Sequence, residues 1–501
     1  MNRGALSDTA FSSFAVYIEY LFGLIASVLI ARALLPADMG VYSLLIWVVA
    51  NAVAIANAGI TMGAIKFIAE LRGADRDDTV VLLVKRLRRM QRIMLALVVA
   101  MLALAFLLAD RWLPSGVERW LLGALLLSVA LRAPYMFNVA VLKGHQDFRS
   151  TAIVAAIGAS LNLGMIVLVW SGATSLPGTL PTFVAIFAVS SVVFLAVSQW
   201  RASRFLRRTD VIDARLPDAL EARVRHHLRV AGFTTVLGVV GSSEIELLAL
   251  NWFSDAADAG LFKVASALAA GVALLVPGVL SAQLLPMMAK ARGRSDEEAA
   301  QRFVAMTVWL FVLGAPLVAA GAVFSDHAIL LLYGKPYAEA APVLALLLIA
   351  RVASVLGQGA TAYLLSADRQ TALMRLTVLF TVLRVIAIFA SAWAYGLAGA
   401  VVATVVLALC GSGATIRLAM RVSATALPWA RLLRISVAAA LPAACCLTFA
   451  DRLAPLPGLL IGTVVFAIGY PLSIWLMRGL DEADAEAVRR LTTKLRRRVG
   501  S

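Results

Sequence analysis

ASVLIARALLPADMGVYSLL runs from Ala26 to Leu45, and ELLALNWFSDAADAGLFKVA, about 220 residues further on, runs from Glu246 to Ala265. In each stretch an apolar helix runs out for about eight or nine residues and a short small or acidic turn ends at a glycine, Gly40 or Gly260. The chain then re-enters apolar sequence as Val41-Tyr42 or Leu261-Phe262. A duplicated bundle of apolar helices is the ground plan of a secondary transporter, so the pair predicts repeat architecture before any single residue is weighed.

Composition agrees with that reading. Hydrophobic residues make up 61% of the 501, charged residues only 15%, and the mean hydropathy is +0.89; a soluble globular chain is far more polar. A bilayer core takes roughly 20 apolar residues per helix, and the sequence holds about fourteen such runs. They include 9–33, 40–65, 230–252, 260–288, 371–394 and 397–420, with 432–450 and 457–477 as a last pair. The run after Arg3 is too long for a signal peptide and carries Glu19, so it is expected to be an uncleaved first helix.

The net charge of +16 raises a nucleic-acid partner, but the placement of the cations argues for topology. Basic residues crowd segment 71–92 (Arg72, Lys85, Arg86, Arg88 and others), segment 201–229 and the tail at Arg489, Arg490, Lys494 and Arg496–Arg498. Segments 171–179 and 253–259 carry none. That alternation is the positive-inside pattern, and with an even span count it puts both termini in the cytoplasm. The tail from Leu480 to Val499, and segment 213–228, can form basic amphipathic helices suited to an anionic leaflet. Cys410, Cys445 and Cys446 fall in expected helices without metal-ligand spacing, His226-His227 has no ligand partners nearby, and no phosphate-cradling Gly-Lys-Ser/Thr loop occurs, so direct ATP use and a metal site are not expected.

A second matched pair is Lys143 to Arg149 and Ser366 to Gln370, each a polar cytoplasmic turn between long apolar runs. The expected fold is therefore an all-α polytopic membrane protein of about fourteen transmembrane helices, two parallel six-helix repeats plus two C-terminal helices. Its expected divisions are an N-terminal lobe at 1–200, a basic cytoplasmic linker at 201–229, a second lobe at 230–421, two further spans within 422–478 and a basic tail at 479–501.

The order and spacing of several short motifs resemble the polysaccharide flippase family of the multidrug/oligosaccharidyl-lipid/polysaccharide exporter superfamily. They are Ala31-Arg32-Ala33-Leu34-Leu35-Pro36 with Gly40-Val41-Tyr42-Ser43, then Gly59, Ala69-Glu70, and Glu246 before Gly260. Further on come Leu332-Tyr333-Gly334-Lys335-Pro336-Tyr337 and Gly396-Leu397-Ala398-Gly399-Ala400. The chain departs from the family at Leu35, where glycine is common, at Glu246, where aspartate is common, and at Arg384, whose counterpart in the first half is Asn162. The resemblance implies export of an undecaprenyl-pyrophosphate-linked oligosaccharide across the bacterial inner membrane, alongside a polysaccharide polymerase and a chain-length regulator, for lipopolysaccharide or exopolysaccharide synthesis.

The residues can be read for that chemistry. A pyrophosphate cannot enter hydrocarbon unless cations and polar groups replace its water. Lys66, Arg132, Lys263, Arg351 and Arg384 all lie in apolar runs, and cations at such depth normally face a bundle interior or a wet cavity. They form the candidate substrate site; Lys66 and Lys263, near helix ends, can instead snorkel to an interface. Glu19, Glu244 and Glu246 are candidates for coupling to H⁺ or Na⁺, or for counter-ions to a cavity arginine. Gly59, Gly63, Pro134, Pro277 and Gly278 are expected hinges. The alternatives in the same superfamily are a lipid II flippase and a drug/cation antiporter. A membrane polymerase or ligase would be an enzyme, and it would need a larger external loop than the longest one here, about fifteen residues.

Overall fold

The computed structural model describes residues 3–108, 119–206, 216–241, 244–275, 281–477 and 479. Among them sixteen α-helices and no strand occur. The first eight are α1 (Arg3–Ala33), α2 (Pro36–Ala56), α3 (Ile60–Gly73), α4 (Asp77–Leu108), α5 (Arg119–Gly144), α6 (Phe148–Trp170), α7 (Leu180–Leu206) and α8 (Asp218–Val240). The remainder are α9 (Ile245–Phe253), α10 (Ala256–Leu275), α11 (Ser281–Arg292), α12 (Asp296–Leu332), α13 (Ala340–Ser366), α14 (Gln370–Ser423), α15 (Trp429–Leu447) and α16 (Pro455–Leu476). Eleven of the helices are long and apolar enough to cross a membrane.

The sixteen helices map onto the fourteen expected spans because two spans are broken, a third is described in two pieces on either side of 276–280, and two are joined. Span 40–65 divides into α2 and α3 at Asn57–Gly59, where Gly59 takes φ 73°. A side chain there would meet the backbone of Leu228 and Gly232 at 2.6 and 2.7 Å, so the break lies where α8 passes backbone to backbone. Gly63 is an ordinary helical position in α3, facing Leu228 and His227. Span 230–252 divides into α8 and α9, with Glu244 at φ 100°. Of span 260–288 the described parts are α10 and α11; Pro277 and Gly278 lie outside the described residues, as do the tail helix expected from Leu480 and the linker cations Arg207, Arg208 and Arg215.

The basic segment 71–92, expected as a loop, is mostly helix: α4 begins at Asp77 and carries Lys85 to Arg92 within its first five turns. Asp77 and Asp78 in its first turn suit the positive end of the helix dipole. Several cations of the positive-inside pattern are paired. Arg223 forks onto Glu70 at 2.9 and 3.2 Å, and Arg86 and Arg225 share Glu221 at 3.1 and 3.2 Å.

The chain divides into two compact units, Met1–Val264 with Val385–Ala400 and Ala265–Arg384 with Val401–Ser501. The first has an apolar core where Phe67, Leu83, Leu87 and Phe137 bring α3, α4 and α5 together, and another where Val49, Leu121, Leu125 and Val184 join α2, α5 and α7. The duplicated motifs meet inside this unit. A β-carbon on Gly40 would lie 1.8 Å from the Ala256 carbonyl oxygen, and one on Gly260 would lie 2.0 Å from that of Pro36. The two glycines therefore let the first turns of α2 and α10 pack backbone against backbone, as small residues do between membrane helices.

In the second unit Phe303, Tyr363 and Met288 form a core among α11, α12 and α13, and Val308, Ile435 and Ile474 hold α15 and α16 against α12. That last pair is fastened by polar contacts as well. Pro316 inside α12 has no N–H for the carbonyl four residues earlier; that carbonyl belongs to Val312 and accepts the Tyr470 hydroxyl at 2.6 Å. His327 reaches the carbonyl of Ala450 at 3.1 Å.

Candidate functional site

Arg132 sits in α5 of the first unit, in the middle of apolar sequence, and α7 supplies its support. Its Nε donates to Ser191 Oγ at 2.8 Å and Nη2 to Ser190 Oγ at 3.3 Å. Both hydroxyls donate their own protons to the Phe187 carbonyl, at 2.8 and 2.7 Å, which leaves their lone pairs for the guanidinium. The guanidinium carbon lies 3.8 Å from the Phe187 ring centroid and 5.2 Å from that of Phe194. Stacking on an aromatic face and a fixed fork are what arginine does and lysine does not. All of these supports are neutral, and among the described residues nothing takes the Nη1 hydrogens.

Three further polar groups share this part of the unit. Glu19 of α1 lies near the Tyr135 hydroxyl of α5 and in the fields of Lys143 and Arg132. Tyr42 of α2 also lies in the Arg132 field. Tyr135 follows Arg132 by three residues and shares its helix face. The result is a guanidinium, a carboxylate and two phenols, drawn from α1, α2 and α5, with serines and aromatic rings of α7 behind the cation.

Next to this cluster, Pro134 and the α2–α3 break are tied together. Asn57 is buried, and its Nδ2 donates both to Val53 O at 3.0 Å and to Ala133 O at 3.2 Å. The proline-bearing turn of α5 is thus hydrogen-bonded to the residue where α2 stops. α5 itself stays continuous through Pro134.

The other sequence candidates are distributed more widely. Lys66 is exposed on α3, 5.2 Å over the Phe67 ring and beside His227 of α8. Burial, with Lys66 and His226 nearby, pushes the His227 imidazole below its usual range. Lys263 pairs with Glu244 at 2.5 Å. Glu246 is fully buried and accepts the Glu244 backbone N–H at 3.0 Å, so it caps the N-terminus of α9. Because the helix breaks between them, Glu244 and Glu246 sit together at one helix end rather than on opposite faces of one continuous helix. Arg351 on α13 and Arg384 on α14 belong to the second unit, each partly buried.

Sequence reading missed Ser190, Ser191, Phe187, Tyr42 and Tyr135. The Ser190-Ser191 doublet inside the apolar run Val184 to Val197 was the available signal.

No protein-family model matches the chain, and no curated protein does either. Solved structures do match. The lipid II flippase MurJ in an inward closed conformation superposes with a TM-score of 0.69 at 12% identity, over 92% of this chain and 98% of that one. A multidrug resistance MATE family transporter of the MOP superfamily, inward-facing, gives 0.63 at 13% identity, over 82% and 98%. A MOP superfamily transporter from Pyrococcus furiosus, described as having a binding pocket of reversed polarity, gives 0.53 at 13%, over 84% and 96%. At these identities the likeness establishes the fold: a multi-pass, all-helical membrane protein built as these transporters are.

Proposed function

We propose that the chain is a flippase that carries a lipid-linked oligosaccharide across the bacterial inner membrane by alternating access, its undecaprenyl pyrophosphate held at arginines within the lobes. The observation that carries this reading is Arg132, a guanidinium in apolar sequence braced by neutral serines and aromatic rings, with its Nη1 edge unengaged among the described residues. A structural ion pair would direct the arginine onto a carboxylate through its fork; here the fork is spent on hydroxyls. The remaining N–H groups suit phosphate oxygens, which guanidinium binds with charge-assisted hydrogen bonds. Arg351 and Arg384 would give the second unit a corresponding cationic surface, and the similarity to a lipid II flippase supports a lipid-linked cargo. Both termini would lie in the cytoplasm, and a polymerase and chain-length regulator would act on the exported unit.

Glu19 gives the site a means of coupling. Ionised, the carboxylate offsets the Arg132 charge; protonated, it leaves that charge to the anionic headgroup. Binding of H⁺, or of Na⁺ at the same carboxylate, is thereby linked to headgroup binding. Glu246, already accepting a backbone N–H, serves first to hold α9.

The test is a membrane-impermeant glycan label applied to spheroplasts lacking this protein. Accumulated precursor that stays unlabelled, and becomes labelled when the wild-type chain but not Arg132→Gln is restored, is the expected result. Normal labelling together with altered drug efflux would replace the flippase with an antiporter. Labelled but unpolymerised units would point to an enzyme.

A further inference from the structure

A cavity of about 590 Å³ opens in the second unit among α12, α13, the end of α14 and the start of α15. Its walls are apolar, with Phe311, Leu356, Ile416 and Leu432 contributing from the four helices. Its mouth is not. Arg417 and Arg421, one helical turn apart at the C-terminal end of α14, both line it and both are exposed. No described carboxylate pairs with either. Trp429, exposed at the first turn of α15, also lines the rim.

The positive-inside pattern puts this end of α14 at the cytoplasmic leaflet, where tryptophan and basic residues meet the headgroups. An apolar slot with two cations and an indole at its interfacial end has the amphipathic layout of a membrane lipid. We propose that the slot is a binding site for one anionic glycerophospholipid of the cytoplasmic leaflet, its phosphate on Arg417 and Arg421 and an acyl chain against Phe311, Leu356 and Ile416. Charge complementarity selects this occupant over a zwitterionic lipid, whose ammonium would face the same two guanidinium groups. The site lies wholly within one unit and does not rest on the proposed transport activity.

Gly413 provides an independent handle. It lines the same cavity, and a β-carbon there would meet nothing within 4 Å, so a side chain added at this position starts from open space beside the slot.

Native mass spectrometry of the full chain, titrated separately with phosphatidylglycerol, phosphatidylethanolamine and undecaprenyl phosphate, tests the assignment. One phosphatidylglycerol should be retained per chain about thirtyfold more tightly than phosphatidylethanolamine, roughly fivefold for each arginine. R417Q/R421Q should erase that preference, R417K/R421K should keep most of it, and Gly413→Leu, with both arginines intact, should weaken phosphatidylglycerol at least about tenfold. The thermal midpoint of each variant identifies any that has failed to fold, and R417K/R421K and Gly413→Leu keep the test open if the glutamine pair does. Equal retention of the two glycerophospholipids by the wild type overturns the proposal. So does displacement of phosphatidylglycerol by equimolar undecaprenyl phosphate, which would give the slot to a polyprenyl lipid instead.

Discussion

Arg132 is held by geometry as much as by charge, and that distinction can be measured. Lysine preserves the positive charge but has one ammonium where the site supplies two serine oxygens and an aromatic face for a planar fork. Arg132→Lys is therefore expected to lower the proposed glycan export nearly as far as Arg132→Gln, about tenfold to a hundredfold on the scale of a charged hydrogen bond. Expression should stay close to wild type, read by immunoblot of the membrane fraction. Full export by the lysine variant would reduce the site to a point charge. At this scale the sequence was half legible. A lone arginine amid apolar residues advertises itself because its insertion is costly, whereas the groups that support it are serines, tyrosines and phenylalanines that occur throughout membrane helices. Glu246 shows the converse: its depth was legible, but its role as a cap depended on a helix break that no apolar run reveals.

The elements are joined by backbone groups that the sequence leaves unpaired and the fold then satisfies. The Tyr470 hydroxyl on α16 bonds the Val312 carbonyl because Pro316 cannot. Tyr470→Phe should cost about 1–3 kcal/mol, the penalty of an orphaned buried acceptor. The same substitution in a Pro316→Ala background should cost much less, since an alanine at that position restores the helical N–H; thermal unfolding of the four proteins in detergent gives the cycle. Equal costs in both backgrounds would show that the hydroxyl acts elsewhere. The α5–α6 turn is another joint. His145 stacks on Phe205 of α7 at 4.1 Å, its carbonyl accepts Arg72 of α3 at 2.8 Å, and Asp147 caps α6 while pairing with Arg204. Burial pushes the His145 imidazole below its usual range, against the opposing pull of its bond to Val141 O. The unfolded chain therefore takes up this proton at a higher pH than the folded one, and the His145 contribution is complete above the unfolded value of about 6.5 and lost as pH falls through the folded value. The thermal midpoint should drop more between pH 7.5 and 5.5 in the wild type than in His145→Phe, which keeps the aromatic stack. Parallel profiles would remove the histidine from the acid response. The sequence marked this turn as polar and cytoplasmic, but which side chains clasp it is set by α3 and α7, distant along the chain.

Across the whole molecule, the count of crossings was the legible quantity and their continuity was not. Hydropathy finds spans because each must bury its backbone in about 30 Å of hydrocarbon. It is blind to breaks such as Gly59 and Glu244, which are stabilised where another helix or a capping carboxylate meets the backbone. The parity of the whole fold turns on α14. As one straight helix its 54 residues would extend about 81 Å, far beyond a bilayer, and the chain would emerge on the opposite side from where it entered. Instead Gly396 takes φ 56° and ψ −137°, a conformation open to glycine. A β-carbon on Gly399 would lie 2.3 Å from the Ser391 carbonyl oxygen, and one on Gly411 would lie 3.5 Å from the Phe380 ring. Residues eight and thirty-one apart cannot approach that closely along a straight helix, so α14 is a hairpin of two antiparallel spans. The fourteen-span count, the cytoplasmic C-terminus expected from the charge pattern and the side of the membrane proposed for Arg417 and Arg421 all depend on this reversal. A dual reporter fused after Gly396 should show phosphatase activity outside, and one fused after Ser423 should fluoresce inside. Phosphatase activity at both sites would mean a single crossing through α14, and the arginine-rich tail from Arg489 onward would then face outward, against the charge asymmetry that orients the rest of the chain.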